Sequence, residues 1–281
     1  MMKQQTYITG YGCLSALGSN LEQTWQQINN QHSAIAPTQL WDAAQWEYPL
    51  AAEIKDYNPR KMVSDRKLLK LLSRHDVLGL KAADDIIKQS GLIEYRDALA
   101  DPCAFNQRTG LYVASAGTKF YQQNDLLPLI ARTKGDLKQF GQHLFEEVHP
   151  MWLLRILSNN VIAYVGIKYQ FQGPNQNVVN HAVSGLQALA EAKNAIEQGF
   201  IDRAIVIGYE SAIEPQGQAY YASMGLLTPN QLSAFDVTAN GTVLGEAAGV
   251  MILENEKSAK DRGAAIYGEV MAAATVSEAN G

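Results

Sequence analysis

The chain has 281 residues, 47% hydrophobic and 18% charged, enough apolar material for one large buried core or two small ones. Its 23 Lys and Arg against 28 Asp and Glu give a net charge of −5, which argues against general nucleic-acid binding. No apolar run approaches the ~20 residues that cross a bilayer, and Met1–Thr6 carries no signal-peptide pattern, so a cytoplasmic protein without a membrane span is expected.

In chain order, Thr6–Thr9 reads as a short strand running into Gly10-Tyr11-Gly12, and Asn20–Asn30 as a helix capped by Ser19 or Asn20. Pro37–Asn58 has no clean period and reads as loop. From Asp65 to Ser90 apolar residues recur at helical spacing, which predicts one long helix ending near Gly91. Gly110–Ser115 reads as a buried strand, and Tyr121–Phe145 as partly helical with long loops. Pro150 sits where a first helical turn accepts it, and predicts an apolar helix to about Gly166. Then follow a strand at Asn177–His181, a helix at Ser184–Gly199, and buried strands at Arg203–Gly208 and Gly249–Leu253. A short helix at Glu256–Arg262 and a last strand at Ile266–Thr275 close the chain. Continuous apolar strands alternating with helices predict one α/β domain with a mostly parallel sheet covered on both faces.

Several motifs are weaker than they look. Gly10-Tyr11-Gly12 is followed by a third glycine, Gly18, three positions too late for a dinucleotide fingerprint. Cys13 and Cys103 lie far apart, and His32, His75, His143, His149 and His181 show no HxxxH or HExxH spacing; neither a metal site nor a bound cofactor is expected. Arg60, Lys61, Arg66, Lys67, Lys70 and Arg74 place six basic residues within fifteen positions, interrupted by Asp65 alone among acids. Such a run is a solvated helix face or a dock for an acidic partner.

The segment Asn180-His181-Ala182-Val183-Ser184-Gly185-Leu186 joins a strand to a helix, where backbone N–H groups and the positive helix end stabilise an attacking thiolate. Ala182 offers a methyl group there. Ser184 is the candidate nucleophile that remains, but Ala182-Val183-Ser184-Gly185-Leu186 lacks the small last residue of a hydrolase elbow, and opening the helix is the better account of it.

The stretch Ala234–Glu254 holds Phe235-Asp236, then Gly241, then Gly245-Glu246-Ala247-Ala248-Gly249 ahead of an apolar strand. It resembles the F-D-x-x-x-x-G-x-V-x-G-E-x-A-G signature of the β-ketoacyl-acyl carrier protein synthases. Ile8-Thr9-Gly10 through Gly18 looks like that family's N-terminal V-T-G-x-G-x-x-S-x-x-G. Gly173-Pro174 with Ser184-Gly185 resembles the surroundings of its catalytic cysteine, and Ile205–Glu210 its V-x-G-G-x-E strand. Met224-Gly225-Leu226-Leu227 looks like the loop before the signature.

The resemblance implies thiolase-like α/β/α layers, with residues 1–281 forming essentially the first half of a duplicated fold. It puts Ala182 at the cysteine position, and the family's catalytic histidines and lysine in a second half absent here. The usual Arg-Asp of the signature is Ala239-Asn240. Without nucleophile or histidines the resemblance implies no catalytic residue; it points instead to a chain length factor, the sister subunit of an active ketosynthase in type II polyketide or fatty-acid-like systems. Its partner would be a full-length ketosynthase, joined as an obligate heterodimer. By the same resemblance, Phe120 and Tyr121, and more weakly Met151 and Trp152, would set the depth of the partner's acyl tunnel. The strand Asn177, Val178, Val179, Asn180 and His181 would pair across the interface. Arg66 and Lys67 would dock an acyl carrier protein, directly or through the partner, with substrate carried on its phosphopantetheine. The alternatives are an acyl hydrolase or transferase using Ser184, and a truncated Cys-to-Ala variant of an ordinary synthase.

Overall fold

The computed structural model describes residues 4–115, 117 and 126–277. Strand β1 (Thr6–Ser15) is longer than the sequence suggests because it runs straight through its glycines. A Cβ on Gly12 would lie 2.1 Å from Ile86 Cδ1, so the absent side chain is what lets the strand lie against the helix above it. Helix α1 (Leu21–Asn29) begins where Asn20 Oδ1 accepts the Gln23 N–H at 2.9 Å, as its cap residue predicts. The expected loop at 37–58 contains a two-stranded ribbon, β2 (Ile35–Pro37) and β3 (Leu50–Ala52), paired antiparallel.

The single helix expected over Asp65–Ser90 is broken. A short helix α2 (Pro59–Met62) and a 3-10 turn at Leu68–Lys70 precede α3 (Arg74–Gln89). Ser73 starts the new helix: its N–H and Oγ both donate to Asp76 Oδ2, at 3.0 and 2.7 Å. This cap outweighs the uninterrupted apolar period. Helices α4 (Leu92–Asp97) and α5 (Pro102–Gln107) lead into β4 (Thr109–Ala114), buried throughout. Helices α6 (Leu127–Arg132) and α7 (Leu137–Glu147) follow. The helix expected from Pro150 to Gly166 is also split, into α8 (Trp152–Arg155) and α9 (Asn160–Tyr169).

Strand β5 (Asn175–Val178) stops short of the expected Asn177–His181 and starts two residues earlier. Asn180 and His181 lie outside it, in a turn, where His181 adopts a left-handed φ of 46° that no strand accommodates. The remaining elements are α10 (Ser184–Glu197), β6 (Arg203–Ser211), α11 (Pro215–Ser223), β7 (Glu246–Asn255), α12 (Glu256–Asp261) and β8 (Gly268–Glu269). The last strand is two residues, against the ten expected at Ile266–Thr275.

The main sheet has the order β5-β4-β6-β7-β1-β8. Only β5-β4 and β4-β6 are parallel; β6-β7, β7-β1 and β1-β8 are antiparallel. The sheet is therefore mixed rather than mostly parallel. Unbroken apolar runs report burial on both faces, which a central antiparallel strand such as β7 shares, and carry no information on direction.

Two cores result, one on each face. Leu78 and Ile87 of α3 and Val161 of α9 pack on Ile205, Ile207 and Ile252. On the opposite face Ala188, Ala192 and Ile196 of α10 pack on Tyr112, Val206 and Leu253. Alanines let α10 lie close to the sheet. These are the α/β/α layers expected from the sequence.

Candidate functional site

The turn between β5 and α10 is tied by one hydroxyl. Ser184 Oγ accepts the Asn180 N–H at 2.6 Å and donates to the His181 carbonyl at 2.8 Å, and Ser184 is buried. A serine engaged on both sides by its own turn is a structural tie, with its proton committed to a carbonyl rather than to a general base. The sequence reading of Ser184 as the residue that opens the helix therefore holds. The tie holds Ala182 exposed at the surface of the turn, beside a cavity of about 380 Å3.

The cavity lies at the carboxyl ends of the parallel strands, where open α/β sheets set their sites. Ala114 and Ser115 at the end of β4, Gly208 and Glu210 of β6 and Ala247 of β7 form its floor, and Tyr221 of α11 closes one side. Ala182 contributes a methyl group. Nothing at that position can attack a carbonyl carbon.

Behind the floor lies a polar cluster that the sequence did not reveal. Tyr209 packs its ring against α3, where Gly79 leaves room for it: a Cβ there would stand 2.8 Å from Tyr209 Cγ. The Tyr209 hydroxyl reaches Asp76 Oδ1 at 3.5 Å and the Ser158 carbonyl at 3.4 Å. Asp76 is fully buried; it receives the two Ser73 bonds and Asn160 Nδ2 at 3.2 Å, and lies 3.4 Å from His75 Nε2. His75, also buried, has Nδ1 3.9 Å from Glu210 Oε1 and its ring edge-on to Tyr209. Burial, reinforced by the charges of Asp76 and Glu210, pushes the Tyr209 phenol well above its ordinary value and keeps it neutral. The cluster couples α3, α9 and β6 to the cavity floor. Its sequence signal was slight, because His75 and Asp76 sit inside an otherwise regular amphipathic pattern.

The other predicted residues are dispersed. Phe120 and Tyr121 lie outside the described residues. Met151 and Trp152 are half-buried, and Trp152 lines a different cavity, with Tyr57, Arg74 and Glu214. Its Nε1 is buried without a hydrogen-bond partner among the described residues. Asn177 donates from Nδ2 to Ser158 Oγ at 3.1 Å, while its Oδ1 is buried with no partner among those residues. Val178 packs against the α10 core, Val179 is exposed, and Asn180 and His181 belong to the turn rather than to the strand. Arg66 and Lys67 are exposed and make no ion pair among the described residues.

Among the described residues, no cluster of three or more His, Cys, Asp or Glu is placed to hold a metal, and no helix is long and apolar enough to cross a membrane.

Comparison with known proteins fits this geometry to a family. The model for the β-ketoacyl synthase N-terminal domain matches residues 4–259. A 3-oxoacyl-[acyl-carrier-protein] synthase 2 of Coxiella burnetii is 28% identical over 280 residues, covering 96% of this chain and 63% of that protein. The chain thus spans less than two thirds of that relative's length. Among solved structures, the ishigamide ketosynthase/chain length factor shares the fold with a TM-score of 0.79 at 21% identity, over 96% of this chain and 62% of that one. A type II polyketide ketosynthase in complex with its acyl-carrier protein gives a TM-score of 0.71 at 22% identity, over 95% and 62%. Matched over nearly all of its length by the domain model, the chain belongs to the β-ketoacyl synthase family, through that family's N-terminal domain.

Proposed function

We propose that this chain is a non-catalytic ketosynthase-like subunit, a chain length factor, that forms a heterodimer with a full-length β-ketoacyl-acyl carrier protein synthase. It stabilises that enzyme and shapes its acyl tunnel during type II polyketide or fatty-acid-like elongation. The observation that carries the reading is Ala182, a methyl group on the turn beside the cavity where the family resemblance calls for a thiol. Neither cysteine substitutes for it, since Cys13 lies in β1 and Cys103 in α5.

The sheet supports an association role. Among the described strands β5 pairs on one side only, with β4, so its other edge offers unpaired backbone groups to a second sheet. Asn177 Oδ1, buried and without a hydrogen-bond partner among the described residues, lies on this same strand. In this reading Asn177–His181 meets the partner, and Phe120, Tyr121, Met151 and Trp152 approach its tunnel. Arg66 and Lys67 offer unpaired charge to an acidic carrier protein that brings substrate on phosphopantetheine.

Co-expression with a full-length ketosynthase tests the reading. A stable heterodimer is expected, with elongation requiring both chains, and Phe120→Ala is expected to lengthen the product. The chain purified alone, with or without Ala182→Cys, is expected to be inactive. Turnover by the unmodified chain alone, or a monodisperse monomer that ignores every ketosynthase offered, sinks the proposal.

A further inference from the structure

Another cavity, of about 380 Å3, lies away from Ala182, between the stretch that follows α2 and the facing sides of α3 and α9. Met62, Val63 and Leu68 line one side, Leu80 and Val165 the other, and Ile167 stands exposed at the mouth. The volume falls in the ~300–1,000 Å3 range of small-molecule sites, and a wall so largely hydrocarbon requires an apolar body in its occupant.

The charged groups of the wall are already matched. Asp84 accepts Lys168 Nζ at 2.5 and 2.6 Å and the Tyr169 hydroxyl at 2.7 Å, and Lys88 reaches it from outside the cavity at 3.0 Å. Lys168 Nζ also donates to Ser64 Oγ at 3.3 Å. Burial raises the Asp84 carboxyl, but the bonds from Lys168, Tyr169 and Lys88 outweigh it and hold the group below its ordinary value, so it stays ionised and keeps its lysines. Asp65, the other carboxylate on the wall, is exposed to water, accepts the Lys67 backbone N–H at 2.9 Å and adjoins Arg66 and Lys67 in the basic run. Counting Lys88, two ammonium groups stand against two carboxylates. A ligand carrying charge of either sign into this hydrocarbon would lose its hydration and gain no buried counter-ion that is not already engaged.

Hydroxyl protons, by contrast, are uncommitted. Tyr164 lines the cavity and its hydroxyl makes no hydrogen bond among the described residues; Ser64 Oγ accepts from Lys168 and donates to nothing among them. Burial pushes the Tyr164 phenol above its ordinary value, and the Asp76 charge adds to this, so the proton stays on the oxygen. A donor in an apolar wall calls for an acceptor on the ligand, and a carbonyl oxygen supplies one without charge.

We propose that this cavity binds an uncharged medium-chain carbonyl compound, an aliphatic ketone or ester. Its hydrocarbon chain lies against Met62, Leu68, Leu80 and Val165, and its oxygen accepts from the Tyr164 hydroxyl. The site does not depend on the heterodimer reading.

Calorimetric titration of the full chain, or of its complex with a ketosynthase where that is the species purified, compares methyl hexyl ketone, octanoate and octylammonium at neutral pH. The ketone is expected to saturate one site and to bind at least about tenfold more tightly than either ion. Tyr164→Phe, which keeps the ring and removes the donor, is expected to weaken the ketone by about fivefold. Ile167→Trp, at an exposed position, is expected to block entry. Octanoate or octylammonium binding as tightly as the ketone overturns the proposal. So does an affinity that neither variant changes, or no saturable binding of the ketone up to about 1 mM.

Discussion

Glu246 is the residue whose loss should be felt most. It sits at the start of β7 with its side chain fully buried, and every partner comes from a different part of the chain. Arg74 Nε and Nη2 donate to its two oxygens at 2.5 and 2.7 Å, Ser211 Oγ at 2.6 Å and the Ile54 N–H at 2.9 Å. Arg74 in turn donates to the Ile54 carbonyl at 2.9 Å and lies 4.1 Å above the Tyr57 ring. Glu246→Ala takes from Arg74, whose side chain is 10% exposed, the carboxylate that pairs with it at two points, and strips acceptors from two buried donors. Breaking a buried pair from one side costs about 3–5 kcal/mol, so a loss of about 4 kcal/mol is expected. The double variant Arg74→Met/Glu246→Met removes both charges and should recover most of that loss. Urea unfolding followed by circular dichroism measures both, and hydrogen exchange should show the Ile54 amide losing protection in Glu246→Ala first. A loss below about 1 kcal/mol in Glu246→Ala, or a double variant no better than the single, would refute the reasoning.

Gly79→Ala should destabilise the fold by about 1–3 kcal/mol in the same unfolding assay, because the added methyl meets the Tyr209 ring at 2.8 Å and Val161 Cγ2 at 3.0 Å. A Tyr209→Phe background should not relieve this, since the clash is with the ring and not the hydroxyl. Asp84→Asn should lower stability at neutral pH and leave it unchanged in strong acid. The folded carboxyl is held below 3.8, its unfolded value, so its contribution is present above that pH and fades as pH falls through the lower folded value. Unfolding curves for wild type and variant that stay equally separated down to about pH 2 would contradict this. Tyr57, whose phenol burial pushes up to about 12 from 10.0, should cost the fold stability as pH rises from the lower to the higher of these values, and Tyr57→Phe should flatten that alkaline limb.

The sequence was most informative where one physical signal dominated. The apolar run Arg203–Gly208 could only be a buried strand, and the helix expected at Ser184–Gly199 is there at Ser184–Glu197. It was least informative where a local contact overrode the period. Ser73 and Asp76 break a helix that the apolar spacing would continue, although their S-x-x-D spacing was in plain view. Strand direction was hidden altogether, since β7 is as apolar as a parallel strand while pairing antiparallel on both sides. At the site, Ala182 and the structural part played by Ser184 were legible because they lie next to each other in the chain. The His75–Asp76–Tyr209 cluster was not, because it joins residues 133 positions apart and only the sheet brings them together. Glu246 belongs to the most family-like stretch of the chain, yet its observed partners hold the architecture together.

The placement of β7 has a consequence for how the protein is made. It lies between β1 and β6 in the finished sheet, and its register joins Thr6 to Asn255. On a ribosome, β1 emerges before the other described strands and then waits for nearly the whole of the described chain before its neighbour exists. Until then β1 has no main-sheet partner, β6 has one open side, and the apolar residues meant for β7 have nowhere to go. Non-local pairing of this kind is slow and leaves unpaired edges exposed during synthesis. A nascent chain in this condition exposes those edges for the length of its synthesis, and its yield in a cell should rise with chaperone supply.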